Sequence, residues 1–472
     1  MITQTSSARR GGLPNYGFRC GGAEYWSLFL HAIVSIGAYH GCCRAITSAP
    51  CVTGRHGRPE MALVRPIPGG TMISDALATE QPSFPVPREC PFAPPAVYGQ
   101  WRDTQAPVLV SLPNGSDAWV LTRHEDVRLV LAGQDVTTKP SDQPRLRAGV
   151  VMAGKDTSLL YMDEPEHGHY RRMFAREFGA RHITAMRPGI EAIANQCIDQ
   201  MLAAGSSADL VEAFCLPVPS MVMCQLLGVP YDRNEYFAHL ATQLTDRTTP
   251  ADVYGAVLTE LNGYMDEVVS EKELAPSDDD ILGRLIISKV RTGELRHDQL
   301  VGFAMLLLIA GYETTANQIA MGVLNLLTDR PRLEAVQNEP GAWAGMIEEM
   351  LRVDSISDSI PVRTAVKDFE VGGQRIAAGD GVIALLSAAN HDPQVFDSPC
   401  AFDPERDNRR SVAFGIGTHS CVGQNLARAE LDVAFRQLFT RIPTLVLAAP
   451  VDDINFKHDQ IVFGPERVDV TW

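Results

Sequence analysis

The sequence predicts a mainly α-helical fold with a small β portion, and three observations carry that expectation. Apolar residues recur at helical spacing through most of residues 164–441. One stretch, Asp298–Asp329, is apolar nearly all round, as a helix buried through the centre of a fold would be. The β-type runs are few and short. With 472 residues, 45% of them hydrophobic, the chain can bury a large core, and its length fits either two domains or one large one.

Taken in order, Ser83–Pro95 is Pro-rich and reads as an extended lead-in. Pro107–Leu112 and Ala118–Thr122 are β-type runs separated by Pro113-Asn114-Gly115, which is hairpin chemistry. His124–Ala132 reads as a helix, and Lys139–Asp156, with its Gly and Pro, as an irregular loop. Glu164–Leu227 holds at least three helical segments, and Tyr254–Ser270, Asp279–Val290 and Asp298–Asp329 continue the pattern. At about 1.5 Å per residue the last is roughly 48 Å long, and Pro331 stands beyond its end as a stop signal. Ala342–Arg352 is a further helix, Phe369–Val371 and Val382–Leu386 are short strands, and Asn425–Arg441 is the last helix.

Composition narrows the function classes. The chain carries a net charge of −16, while residues 1–71 hold seven Arg, two Glu and no Lys. The remainder is therefore strongly acidic, which argues against nucleic acid as the main partner but leaves room for a local basic patch that docks an acidic protein. The ten Cys show no paired spacing and no CxxC, so neither a disulfide framework nor a zinc site is expected, and a reducing cytoplasm is the default compartment. The apolar run Trp26–Tyr39 is interrupted by His31 and falls short of the roughly 20 residues a spanning helix needs. No stable membrane association is expected. The preferred reading of residues 1–71 is a disordered or non-native extension, with Met72 as the natural start and 72–472 as the functional domain. A signal peptide is the weaker reading, because a long polar gap follows Arg9-Arg10 and no clear cleavage site is present.

The most informative stretch is Phe414-Gly-Ile-Gly-Thr-His-Ser-Cys421-Val-Gly423. A cysteine just before a helix faces backbone N–H groups and the positive end of the helix dipole, and both lower a thiol pKa. Gly415, Gly417 and Gly423 let the backbone turn tightly and come close to a flat ring, and Phe414 can pack beside the sulfur and limit water. A lone Cys is more often a buried structural residue; the Gly, Phe and His around this one argue otherwise.

This stretch resembles the haem-binding signature of the cytochrome P450 superfamily, Phe-Gly-x-Gly-x-x-x-Cys-x-Gly. Gln424-Asn-Leu-Ala-Arg-Ala-Glu430 is similar to the soluble actinobacterial, ferredoxin-dependent members. The resemblance runs from about Phe84 to Trp472. It implies the cytochrome P450 fold, a single large haem-binding domain, haem b (iron protoporphyrin IX) as cofactor, and Cys421 as the metal ligand. Val422, Asp163-Glu164-Pro165 and Asn390-His391-Asp392 depart from the common pattern, which weakens any assignment to a subfamily and leaves the fold expectation intact.

Further residues fit the same resemblance. Ala310-Gly-Tyr-Glu-Thr-Thr315 lies midway along the long helix. Here Gly311 would open the helix locally and, with Ala310, leave room for dioxygen. Glu313 and Thr314 would form an acid–alcohol pair that delivers protons into a dry pocket; an isolated Glu-Thr-Thr would instead be a back-bonding Thr beside an exposed Glu. His167 and Arg171, four apart on one helix face, with Arg363 and His419, would hold the haem propionates. Glu349 and Arg352 sit at i and i+3, commonly a surface pair of little worth. The resemblance instead places them in a buried structural network with Arg406.

The expected activity is a monooxygenase that inserts one oxygen atom of O2 into a small apolar organic substrate, by hydroxylation or epoxidation, in secondary metabolism or xenobiotic oxidation. The pocket would be lined by Lys139–Leu160, Ala304–Gly311 and Ile356–Val362. No reductase domain is fused, so electrons would come from a separate ferredoxin and ferredoxin reductase, with Arg409 and Arg410 as docking cations or plain surface charges. Two other readings share the ligand. One is a haem-thiolate nitric oxide reductase fed directly by NAD(P)H, which Ala118–Thr122 and Leu216–Ser220 also resemble. The other is a non-catalytic haem sensor or carrier.

Overall fold

The computed structural model describes residues 81–139, 158–231, 234–357 and 360–472. The expectations placed on residues 1–71, and on all but the first residue of the Lys139–Asp156 loop, lie outside the described residues.

Short elements open the described chain. The lead-in runs beside the first strand, with Phe84 N–H donating to the Ser111 carbonyl at 3.0 Å. Helix α1 (Ala96–Asp103) leads to strands β1 (Val108–Ser111) and β2 (Asp117–Leu121), paired antiparallel. The turn between them is built as its residues require: Gly115 adopts a positive φ of 79° and the Asn114 side chain accepts from Ser116 N–H at 3.1 Å. Helix α2 (His124–Ala132) follows with the expected bounds, then strand β3 (Val136–Thr137).

The helical mass begins with α3 (Glu166–Ala175) and α4 (Ala180–Ala204). After strand β4 (Ser207–Asp209) and a wide π turn at Val211–Cys215 come α5 (Pro217–Leu227), α6 (Asn234–Thr245) and α7 (Ala251–Leu274). Asp279–Val290 is split into α8 (Ile281–Leu285) and a second π turn, Ile286–Val290. The long helix α9 covers His297–Thr328 without a break, and α10 (Arg330–Asn338) and α11 (Trp343–Asp354) succeed it.

Pro331 does lie beyond the end of α9, but it also stands in the first turn of α10, a helix the periodicity did not separate. The Asp329 side chain caps that helix by accepting from Arg332 N–H at 3.2 Å. A proline one residue into a helix forfeits no hydrogen bond, so the same residue that stops one helix starts the next.

The remaining strands are β5 (Val362–Ala365), β6 (Phe369–Val371), β7 (Gln374–Ile376) and β8 (Gly381–Ala384); they lead to the short helix α12 (Leu386–Asn390). Helix α13 (Gln424–Arg441) and strands β9 (Val446–Leu447) and β10 (Asp469–Thr471) end the chain. The main sheet has the order β1-β2-β8-β5-β3, with β4-β10-β9 and β6-β7 as smaller sheets. The expectation of a helical fold with a small β portion therefore holds.

The largest apolar core surrounds α9, which packs on α5, α7 and α13. A Cβ on Gly322 would lie 2.4 Å from the ring of Phe435, so α9 and α13 meet almost backbone to side chain. Truncating a buried aromatic of that kind costs about 3–5 kcal/mol. Among the described residues α9 is also the one helix long and apolar enough to cross a membrane, but most of it is inside this core.

Candidate haem-thiolate site

The Cys421 loop folds back on itself before α13. Gly415 and Gly417 take positive φ values of 66° and 79°, which L side chains rarely adopt. Gly417 is also held by space: a Cβ there would meet the Leu131 carbonyl at 2.3 Å. Cys421 N–H donates to the Phe414 carbonyl at 2.8 Å and closes the loop. Gly423 precedes α13, and a Cβ on it would stand 4.0 Å from the Cys421 sulfur. Cys90, Cys197, Cys215 and Cys224 are buried, whereas Cys421 is exposed.

The expected lowering of this thiol by the helix start is present but outweighed. Burial by surrounding atoms pushes the Cys421 thiol up, and the Gly423 N–H with the charges of Arg171 and Arg428 only partly offsets it, so its pKa is raised. The helix start is not enough to make a thiolate by itself. Coordination to a metal ion deprotonates a thiol outright, so ligation would supply what the protein's own groups do not.

Four bases gather beside the loop. His167 is 2% exposed, and its ring lies 4.1 Å from that of His419, centroid to centroid. His167 Nδ1 has no hydrogen-bond partner; the nearest carboxylate oxygen, on Glu164, is 3.5 Å away. Arg171 donates to the Ser420 carbonyl at 2.6 Å, tying α3 to the residue before Cys421. Arg363 is 7% exposed, donates to the Val362 carbonyl at 2.8 Å, and is pushed down to about 10 by burial. Burial and the charges of His167, Arg363 and Arg171 push His419 down to about 3.

The nearby anion, Asp163, is committed elsewhere: it accepts from Thr138 N–H at 3.0 Å and from the Thr137 and Thr138 hydroxyls. Glu164 stands 3.5 Å from His167 and Asp163 is spent on threonines, so neither guanidinium of the cluster is hydrogen-bonded to a carboxylate. A buried guanidinium without a carboxylate, as at Arg363, is costly, and a ligand bearing two carboxylates in this position would pair with the guanidiniums and accept hydrogen bonds from the imidazoles. The residues present therefore fit a haem whose propionates lie among His167, Arg171, Arg363 and His419. The four were grouped in the sequence only through the family resemblance, since spacing alone does not join α3, β5 and the Cys421 loop.

The long helix carries a gap in its cover. Leu306 and Thr314 are partly exposed and Ala310 is exposed, although most of α9 is buried. These residues are spaced by four and so share one face. The Thr314 hydroxyl donates to the Ala310 carbonyl at 2.6 Å. Glu313 lies on another face: it is 2% exposed, reaches the Thr245 hydroxyl, leaves Oε2 without a partner, and is pushed up by burial. Adjacent helical residues diverge by about 100°, so the acid and the alcohol are neighbours in sequence and not in contact.

Gly311 does something other than the sequence suggested. The helix is continuous through it, and a Cβ there would meet Met223 Sδ at 2.5 Å. It serves the close packing of α9 on α5; the uncovered surface belongs to Ala310.

The Glu349–Arg352 pair is 0% exposed on both sides. Arg352 donates to both Glu349 oxygens at 2.6 and 2.8 Å, and Arg406 Nε (3.1 Å), Asp403 N–H (2.9 Å) and Asn408 Nδ2 (3.1 Å) complete the carboxylate. Burial alone would raise this carboxyl, but the bonds and charge from Arg352 hold it below its ordinary value. The expected buried network is thus present and fully bonded. Arg409 pairs with the exposed Asp407, so it does not present a bare cation.

Comparison with known proteins agrees with this geometry. The cytochrome P450 family model matches residues 97–341 and 344–472. The chain is 39% identical over 401 residues to a vitamin D3 dihydroxylase of Streptomyces griseolus, covering 84% of this chain and 98% of that one. It is 39% identical over 390 residues to the 20-oxo-5-O-mycaminosyltylactone 23-monooxygenase of Streptomyces fradiae, covering 83% and 92%. The crystal structure of mycinamicin VIII C21 methyl hydroxylase from Micromonospora griseorubida superposes with a TM-score of 0.79 at 37% identity, over 83% of this chain and all of that one. The chain belongs to the cytochrome P450 family and is a haem b-dependent monooxygenase acting on small organic molecules.

Proposed function

We propose that Cys421 would supply the thiolate that holds the iron of haem b, and that His167, Arg171, Arg363 and His419 would bind its propionates. The observation that carries this is the gathering of two guanidiniums, neither hydrogen-bonded to a carboxylate, and two imidazoles beside an exposed cysteine. Phe414 and Gly415 shape the loop that presents the sulfur, and Gly423 leaves room beside it. When bound, haem supplies dioxygen activation and transfer of one oxygen atom to the substrate, while the protein supplies position and dryness.

The chain's own residues do the rest. Ala310 leaves the face of α9 open, giving dioxygen and substrate room. Thr314 Oγ1 lies on that same face and holds a proton there. Glu313 keeps its proton more readily than an ordinary carboxyl, because it is buried, and serves as the store behind the helix. Passage from Glu313 to Thr314 requires a side-chain turn or a water, since the two face different ways. Leu160, Leu306 and Ile360 are apolar and partly or wholly exposed, which suits an apolar substrate wall.

The substrate is an apolar secondary metabolite or foreign compound; the relatives are named for vitamin D3, 20-oxo-5-O-mycaminosyltylactone and mycinamicin VIII. Electrons come from a separate ferredoxin and its reductase in the cytoplasm. Residues 72–472 form the enzyme domain, a reading supported by matches of about 400 residues to whole relatives. The test is a ligand screen for the low- to high-spin shift of the Soret band, followed by turnover of the hits. Thr314→Ala is expected to keep the thiolate-type spectrum and the ligand shift, but to divert most electrons to peroxide. Full coupling in that variant would remove Thr314 from proton delivery.

A further inference from the structure

We infer that the Glu348–Arg428 ion pair, laid over Phe414, tunes the reduction potential of the bound haem iron through the Cys421 sulfur. The inference rests on the reading of Cys421 as axial ligand and goes beyond it, because neither charge was assigned a role there.

Arg428 lies just over one turn into α13 and folds back toward the loop. Its guanidinium carbon stands 4.5 Å from the centroid of the Phe414 ring. Within that distance a cation is attracted to the ring face. Phe414 in turn accepts the Cys421 N–H through its carbonyl at 2.8 Å, so the guanidinium, the ring and the sulfur-bearing residue are linked. Arg428 is one of two cations whose charge acts on the sulfur; the other is Arg171.

The two cations differ in what neutralises them. Arg171 spends its guanidinium on the Ser420 carbonyl and hydroxyl, which carry no net charge. Arg428 holds Glu348 in a two-point contact, Nε to Oε1 at 2.5 Å and Nη2 to Oε2 at 3.1 Å, and also donates to Gln424 Oε1 at 3.1 Å. The side chains of Glu348 and Arg428 are each 34% exposed, so the pair sits at the rim of the protein, where substitutions do not open the core. With haem bound Arg171 is also matched by a propionate, so the field at the sulfur varies with how far Arg428 is cancelled. Glu348 sets the degree of cancellation.

A positive charge near the ligand favours the reduced, more electron-rich state of the site, and such outer groups tune metal centres in general. Removing Arg428 should thus lower the potential, and removing the charge of Glu348 should raise it. A merely structural role predicts the same sign for both, because loosening the loop admits water in either case.

The experiment is equilibrium redox titration of the purified holoenzyme, ferric to ferrous, with dithionite as the one-electron source and mediator dyes. Wild type, Arg428→Met, Arg428→Lys and Glu348→Gln are compared. Expected are a fall for Arg428→Met, a rise for Glu348→Gln, and a value for Arg428→Lys nearer to wild type than Arg428→Met. Shifts of the same sign, or no shift in both variants, overturn the inference. Should Arg428→Met fail to retain haem, Glu348→Gln decides alone, a rise supporting the inference and a fall or no change overturning it. A wild-type ferrous carbonyl spectrum without the thiolate-type band would instead overturn the ligand reading itself, whatever the variants do.

Discussion

Two buried polar regions of this protein look alike in composition and differ in completeness. In the Glu349–Arg352–Arg406 network both oxygens of the carboxylate and its guanidinium partners are hydrogen-bonded inside the chain. In the His167–Arg171–Arg363–His419 cluster two guanidiniums and two imidazoles crowd together while the nearby Asp163 is held by threonines. The first region is closed and can only be structural. The second leaves its guanidiniums without a carboxylate hydrogen bond and so open to an anionic ligand. A buried charge with all its partners tells about folding; one without them tells about a ligand.

The difference can be broken most forcefully at the closed network. Glu349→Ala leaves Arg352 and Arg406 without their carboxylate and should cost about 3–5 kcal/mol of stability, read by urea denaturation of the holoprotein. A loss below about 1 kcal/mol, the range of a surface pair, would show that the network is not what its geometry says.

Asp354 is an intermediate case and sharpens the comparison. It is fully buried, accepts from Asn325 Nδ2 at 3.2 Å, and leaves Oδ2 unpartnered. Burial raises its pKa from 3.8 to about 7. Between these values the unfolded chain ionises this group while the folded chain keeps its proton. Stability therefore falls as pH climbs from about 4 to about 7 and then levels off. A shift of that size corresponds to about 4 kcal/mol at most. Asp354→Asn should remove that part of the pH slope and be the more stable protein at pH 8, with little difference near pH 4. Parallel pH–stability curves for the two proteins would contradict the assignment.

The open cluster responds in the opposite sense to the closed one. Arg363→Met removes a buried cation that has no carboxylate partner, so the fold should lose little. Haem should nevertheless leave faster, by about tenfold for the loss of one charge-assisted contact of about 1.4 kcal/mol. Transfer of haem to excess apomyoglobin measures this rate. Slower or unchanged transfer would place the propionates elsewhere.

How much of this was legible in the sequence depends on how local each cause is. The Cys421 loop was readable because its chemistry is contiguous: the glycines that adopt positive φ, the phenylalanine and the cysteine lie within ten residues. The Glu349–Arg352 spacing was readable too, but not from spacing alone its burial, since Asp403, Arg406 and Asn408 come from a later loop. Gly311 was misread because its neighbour, Met223, belongs to another helix, and no periodicity reports which helix a glycine lets in. Pro331 was read as an end and is also a beginning, because the capping Asp329 makes both possible within three residues. The raised Cys421 thiol was missed for a similar reason: a helix start can be read from sequence, but the burial that outweighs it cannot.

The most direct measurement on the whole assignment is the carbon monoxide spectrum of the dithionite-reduced protein, taken for wild type and for Cys421→Ala. The wild type should show the red-shifted Soret band of a thiolate-ligated haem, and Cys421→Ala should lose it while the protein stays folded. A wild-type spectrum of the histidine-ligated kind, or a thiolate-type band that survives the loss of Cys421, would contradict the assignment of this sulfur to the iron.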